Sequence, residues 1–311
     1  MESALKQTEV NQEVIVVDVS SKQNSSELLK PVLSQIRYES LPEQGIISAC
    51  NHGLEVARGE FLIFLSPKSY LFPHAVAKRL TCLRKQGASL EMLLGAWENN
   101  FLTEKSMNPI DLKSFSQWVD GCQGFHIWAL PTLWYYVTPS GLTFRRNWLQ
   151  MLGGLDSRLS LEIAIVDAVL QLSSRGAMSS FLEETTCGVL TNSQQREKMG
   201  IIAQDLEIIL NKFFSRRGLK SWEFPLQSQA RYNIWVWMAW QMYQQNHFAE
   251  GLKYLKHSLR YSPFDASEVT ANWKQRFHYF STLQEQSPNP DLSQEMNRWQ
   301  KIIAETFETQ P

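Results

Sequence analysis

The sequence predicts an α/β sheet domain followed by an all-helical extension. Three patterns carry that prediction. Short apolar runs at Val14–Asp18, Ile36–Tyr38, Phe61–Leu65 and Leu90–Trp97 have the length and the turn boundaries of buried strands. Segments with apolar residues at helical spacing lie between them, the alternation of a three-layer, mostly parallel sheet flanked by helices. From residue 193 onward the strand signal ends and helical periodicity alone remains.

Each element has a local reason. Val14–Asp18 is β-branched and apolar up to a polar end, as expected of a strand that feeds a loop. Ser25-Ser26 can cap a helix through Leu28, Leu29 and Val32. Gly45 to Ala57 reads as a helix with Ile47, Cys50, Leu54 and Ala57 inward, and Gly59 suits its exit. Pro73 opens a helix over Ala75–Gln86. Residues 98–140 are irregular and rich in aromatics and proline (Trp118, Phe125, Trp128, Pro131, Trp134, Tyr135, Tyr136, Pro139). Gly141–Arg145 reads as a strand, Arg146 onward as a short helix ending in a Gly153-Gly154 turn, and Leu161–Gly176 as a helix. In the extension, Met199–Phe214, Tyr232–Gln245, Phe248–Tyr261, Trp273–Leu283 and Leu292–Phe307 are helical. The spacing places the boundary between the two parts at 192/193.

Composition excludes several classes. With 43% apolar and 20% charged residues among 311, and a net charge of −1, the chain can bury a core and offers no bulk charge for nucleic acid or an anionic membrane. Cys50, Cys82, Cys122 and Cys187 show neither metal nor redox spacing and read as reduced core residues of a cytoplasmic protein. Residues 1–12 are polar, so no signal peptide is expected. No apolar run approaches the roughly 20 residues of a membrane span, which leaves at most peripheral membrane association. The six histidines have no ligand spacing, and there is no GxSxG, Walker or GxGxxG sequence.

Two stretches carry a family resemblance. The first is Glu13-Val-Ile-Val-Val-Asp18-Val-Ser20, then Gly45 through Asn51, Gly53 and Ala57, then Gly59-Glu60-Phe61 through Leu65, Ser66-Pro67-Lys68 and Pro73. The second is Phe144-Arg145-Arg146 followed by Gly153-Gly154-Leu155-Asp156. Both resemble the family 2 glycosyltransferases, whose text is VVDDGS, NxGxxxARNxGxxxAxGEYxxFLDADD with a proline after it, then FRR and GGFD. The resemblance covers about residues 2–192. It implies a GT-A, Rossmann-like sheet over residues 1–192, with 193–311 as a helical extension. It also implies transfer of a sugar from a nucleotide-sugar donor to a glycan or envelope acceptor, as in polysaccharide biosynthesis. The family opens with a strand of the type VSVIIPTYN and then a helix, and Glu2–Thr8 already match the end of that helix. Either the true N-terminus lies upstream of Met1 or the chain is a truncated relative, in which case a sheet edge is exposed or covered by something else.

The chemically active positions depart from the family. A sugar-nucleotide diphosphate leaves as an anion, usually neutralised by Mg²⁺ or Mn²⁺ on carboxylates. The family's DxD turn falls on Ser66-Pro67-Lys68, which cannot build a hard-cation site, so no metal is expected unless another carboxylate substitutes. Lys68 can meet the diphosphate directly as a point charge, or be an ordinary solvated turn lysine. Asp18 matches the first carboxylate of VVDD, where it can contact the nucleotide or cap the following loop; Val19 stands at the second. The family arginine of ARNxG falls on Cys50, while Asn51 and Gly53 remain. The family's acidic pair, which supplies the base that takes the acceptor proton, falls on Ala164-Ile165. Asp167 matches the next acidic position and Glu162 lies close by, each a catalytic candidate or a helix-surface residue. Asp156 is expected to shape the acceptor loop. Arg145 and Arg146 can face phosphate or serve structure.

In the extension, Trp235, Ala239, Tyr243, Phe248, Gly251, Leu255, Leu259 and Pro263 are similar to one tetratricopeptide unit. A single unit cannot bury both faces, so it is expected to pack on the sheet domain or to dock a protein partner. A catalytically inactive relative acting as a binding or scaffold module is the alternative to an active transferase.

Overall fold

The computed structural model describes residues 1–8, 11–20, 25–42, 44–85, 90–99, 137–190, 199–217, 224–283 and 292–307. Cys122 and the aromatics from Trp118 to Tyr136 lie outside the described residues. Contacts divide the chain into two compact units, the first holding the described residues up to Leu190 and the second those from Met199.

The first unit is mixed α/β. Its strands are β1 (Ile15–Asp18), β2 (Arg37–Ser40), β3 (Phe61–Leu62), β4 (Ser69–Leu71), β5 (Leu90–Asn99), β6 (Leu142–Arg145) and β7 (Met178–Val189). β1 and β2 form a parallel pair, and the other five form a sheet in the order β3-β6-β5-β7-β4. Within that sheet β5 and β7 run parallel, whereas β3–β6, β5–β6 and β4–β7 are antiparallel. The α/β class stands, and the strand directions are more mixed than alternation alone suggests. The reason is that β6 runs antiparallel to both of its neighbours and β4 runs antiparallel to β7, directions that strand composition does not encode.

The helices of this unit are α1 (Glu2–Leu5), α2 (Ser25–Leu29), α3 (Ile46–Val56), α4 (Ala75–Lys85), α5 (Arg146–Met151) and α6 (Leu161–Ser174). α3 buries Ile47, Ala49 and Leu54. Cys50 is only half-buried, not fully inward as the spacing predicts. The Phe61–Leu65 run contributes just two residues to the ladder, because β6 offers β3 only Arg145 and Phe144. Met92, Leu93 and Leu94 of β5 are fully buried, as a central strand covered on both faces requires. α6 is buried along almost its whole length, from Ile163 to Leu170. Residues of the α1 segment lie on β4: Ser3 Oγ accepts the Leu71 N–H (3.2 Å), and Gln7 bonds Phe72 O (2.8 Å) and Val76 N (3.0 Å).

The second unit is helical: α7 (Met199–Phe214), α8 (Phe224–Gln244), α9 (Phe248–Ser258), α10 (Ala266–Leu283) and α11 (Ser293–Phe307). α8 begins at Phe224 rather than Tyr232. It packs on α7, α9 and α10, and α11 closes on α9 and α10. The α8–α9 hairpin therefore has its apolar faces covered by helices of its own unit. Gly251 permits that contact, since a Cβ there would lie 2.5 Å from the Tyr243 ring and 3.2 Å from Ala239 O. Trp240, Trp273 and Trp299 are fully buried, so these tryptophans serve helix packing. Two of the indoles are matched: Trp299 Nε1 donates to Tyr243 Oη (2.8 Å), whose hydroxyl bonds Glu295 (3.0 Å), and Trp240 Nε1 donates to Ser281 Oγ (3.1 Å). Among the described residues no helix is long and apolar enough to cross a membrane.

Candidate functional site

Asp18 ends β1 and is half-buried. Its Oδ1 accepts the Ser20 N–H (2.9 Å) and its Oδ2 accepts the Tyr38 hydroxyl from β2 (2.8 Å). The Asp18 hydrogen bond, with burial and the carboxylate charge adding, raises the Tyr38 pKa, so the phenol stays a donor. The carboxylate is thus oriented by its own loop and by the neighbouring strand. This is the loop-capping geometry, and it leaves Asp18 aligned at the strand end, where α/β sheets gather ligands.

The Ser66–Ser69 segment is a β-turn closed by Ser69 N–H to Ser66 O (2.9 Å), with Pro67 at its second position. Ser66 Oγ accepts the Lys68 N–H (3.2 Å). Lys68 O accepts the Leu190 N–H (2.7 Å), which anchors the turn to the end of β7. The Lys68 side chain is exposed, and nothing among the described residues pairs with its ammonium. A hydroxyl and an ammonium do not fit a hard divalent cation, which needs several oxygen ligands. Among the described residues no group of three or more His, Cys, Asp or Glu side chains comes together.

Asn51 turns away from this chemistry. Its Nδ2 donates to Leu155 O (2.8 Å) and its Oδ1 accepts the Leu155 N–H (2.7 Å), so both ends of the amide are used on one peptide unit. The clamp needs a glycine beside it. Gly154 has φ +91°, and a Cβ there would lie 2.5 Å from Asn51 Oδ1. Cys50, at the position of the family arginine, has its thiol pushed up to about 11 by burial and stays neutral.

Asp156 is held by Arg158, whose Nε and Nη2 donate to it at 2.9 and 2.6 Å. Hydrogen bonding to Asp156 raises the Arg158 pKa, and the Asp167 charge adds to that, so the three charged groups share one neighbourhood. Asp167 is 3% exposed and accepts Gln171 Nε2 (2.7 Å). Glu162 is exposed in the first turn of α6, where a carboxylate also complements the helix dipole. Ala164 and Ile165 are fully buried. Arg145 pairs with Glu60 and lies over the Phe61 ring (4.8 Å), and Arg146 Nε donates to Gly59 O (2.7 Å). These contacts join the two sequence signatures to each other.

Arg79 was not anticipated. It is 1% exposed on α4, donates Nε and Nη2 to Thr186 Oγ1 (3.1 and 2.7 Å), and donates Nη2 to Ser140 O (2.7 Å). Burial lowers its pKa, opposed by Cys187. It fixes the segment entering β6 against β7. The signal was present: Ala75, Arg79 and Leu83 share the buried stripe of α4, so a charged residue sat in an apolar period.

Residues 1–100 match the family model described as Glycosyl transferase family 2. The match takes in about the first third of the chain and lies within the α/β unit. No curated protein matches it. Among solved structures it is similar to a crystal structure of S. aureus TarS 1-349, at 16% identity and TM-score 0.47, over 92% of this chain and 86% of that one. TarS 1-349 in complex with UDP-GlcNAc gives 15% identity and TM-score 0.47, over 92% and 87%. A crystal structure of a mycobacterial protein gives 13% and 0.42, over 70% and 69%.

Proposed function

We propose that the α/β unit binds a nucleotide-sugar and transfers its sugar to a glycan or cell-envelope acceptor, with protein charge standing where relatives use a metal. The observation that supports this best is Asp18, a carboxylate oriented by Tyr38 and Ser20 at the end of β1, inside the 100 residues that match the family. In this reading Asp18 contacts the nucleotide. Lys68 meets the diphosphate as a point charge, and the Ser66 hydroxyl, whose oxygen already accepts the Lys68 N–H, has its own proton left to donate. Asn51 positions the Gly154–Asp156 loop instead of touching ligand. Glu162 is the carboxylate open to an acceptor hydroxyl, since Asp167 is buried against Gln171. The setting is cytoplasmic, in line with Cys50, Cys82 and Cys187 standing as thiols, with at most peripheral membrane association.

A second reading, an inactive relative that binds or scaffolds through the same fold, is favoured by one observation. The positions of the family's acidic pair hold Ala164 and Ile165, both fully buried, so no base stands there. In that case the helical extension would carry a protein partner. Calorimetric titration of the full chain with UDP, GDP, dTDP and their sugars, with and without Mn²⁺, tests the main reading. Saturable binding that ignores Mn²⁺ supports it, and binding to none of them contradicts it. Release of free nucleotide from a bound donor separates transfer from binding alone.

A further inference from the structure

A polar cleft lies in the α/β unit at the end of β1 away from Asp18. It has a volume of about 290 Å³ and is lined by Arg58, Glu60, Arg145, Arg146 and Asn147. Its place in the fold is fixed by Glu13, just before β1, whose Oε1 accepts the N–H groups of Arg58 (2.5 Å) and Gly59 (2.9 Å), just before β3. The cleft is therefore where β1 and β3 begin. Asp18 is where β1 ends, five residues and roughly 16 Å away at about 3.3 Å per strand residue.

Three guanidinium groups and one carboxylate line the cleft, and the Glu13 carboxylate beside it is taken up by the Arg58 and Gly59 N–H groups, so positive charge is in excess there. Two of the arginines are held on rigid elements. Arg145 is fixed by Glu60 and the Phe61 ring, and Arg146 uses only Nε, on Gly59 O, so its terminal nitrogens remain as donors. Arg58 is exposed, and among the described residues nothing pairs with its guanidinium. Forked donors converging on a cleft of this size match a tetrahedral oxyanion, and prepositioning them lowers the ordering cost of binding.

We propose that this cleft binds a phosphate group, as free phosphate or as a phosphate ester, at a site separate from the strand-end site and independent of whether sugar transfer takes place. Glu60 is the competing anion: it occupies Arg145 when the cleft is empty, and phosphate displaces it.

The test follows the arginine Nε–Hε NMR signals of the full chain during titration with inorganic phosphate, with chloride at matched ionic strength as the control. Saturable shifts at Arg58 and Arg146 are expected. Arg58→Gln, at an exposed position, should weaken phosphate about tenfold, the loss of one charge-assisted contact. Glu60→Gln should tighten it severalfold. Phosphatidic-acid vesicles against neutral vesicles identify the source: binding that Arg58→Gln removes assigns a lipid phosphate, and its absence alongside phosphate binding assigns a soluble ester. Equal responses to chloride and phosphate, unchanged affinity in Arg58→Gln, or vesicle binding without phosphate binding would overturn the site.

Discussion

The joint between the two sequence signatures and the Ser66–Ser69 turn are built from neighbouring pieces of the same motif, yet they use their polar groups differently. At the joint, Asn51 spends both ends of its amide on Leu155, Arg146 reaches Gly59 O, and Arg145 pairs with Glu60. At the turn, the Lys68 ammonium has no partner among the described residues; at the end of β1, Asp18 accepts from Ser20 N–H and the Tyr38 hydroxyl. Asn51, Arg145 and Arg146 thus spend their polar groups on the fold, whereas the Lys68 ammonium is left to solvent.

Substitutions at the two places should separate. Asn51→Ala leaves the Leu155 N–H and C=O without partners and should lower stability by about 3 kcal/mol, measured by urea unfolding, with nucleotide affinity of the folded protein unchanged. A loss of nucleotide binding at full stability would instead move Asn51 into the site. Gly154→Ala forces a Cβ into the left-handed region against Asn51 and should lower stability by about 2 kcal/mol in the same assay. At the turn, Ser66→Asp with Lys68→Asp should leave stability nearly unchanged and create Mn²⁺-dependent nucleotide binding in calorimetry. The absence of any metal response would mean that the pocket differs in more than its turn. Glu60→Gln removes an ion pair whose carboxylate is two-thirds exposed and should change stability by less than about 1 kcal/mol.

The scaffold was legible because its signals are local. Val14–Asp18 is a strand by composition, and Met199–Phe214 forms over the residues that its spacing marks. The partnership of Asn51 with Leu155 spans 104 residues, so nothing in the local text distinguished a clamp from a ligand contact. β7 was missed because Met178–Val189 mixes serine, threonine and glutamate with apolar residues and shows no alternation. It is a strand through its pairing with β5 and β4, which is a tertiary fact. Trp240, Trp273 and Trp299 are buried because α8, α10 and α11 pack on one another, a tertiary fact that no local pattern carries. Asp167 and Glu162 were indistinguishable as neighbours in the chain. They differ because Asp167 lies on a buried face of α6 and Glu162 on its solvent side.

The proposed transferase rests most heavily on Lys68 taking the place of a metal in holding a nucleoside diphosphate. Its most direct test is the affinity of UDP and of uridine for the natural chain and for Lys68→Gln, all in the presence of a chelator. The account predicts that UDP binds with the chelator present, that Lys68→Gln weakens UDP about tenfold or more, corresponding to ~1.5 kcal/mol for one charged hydrogen bond, and that uridine is unaffected. Equal UDP affinity for the two proteins, or binding that appears only when Mn²⁺ is restored, would contradict it.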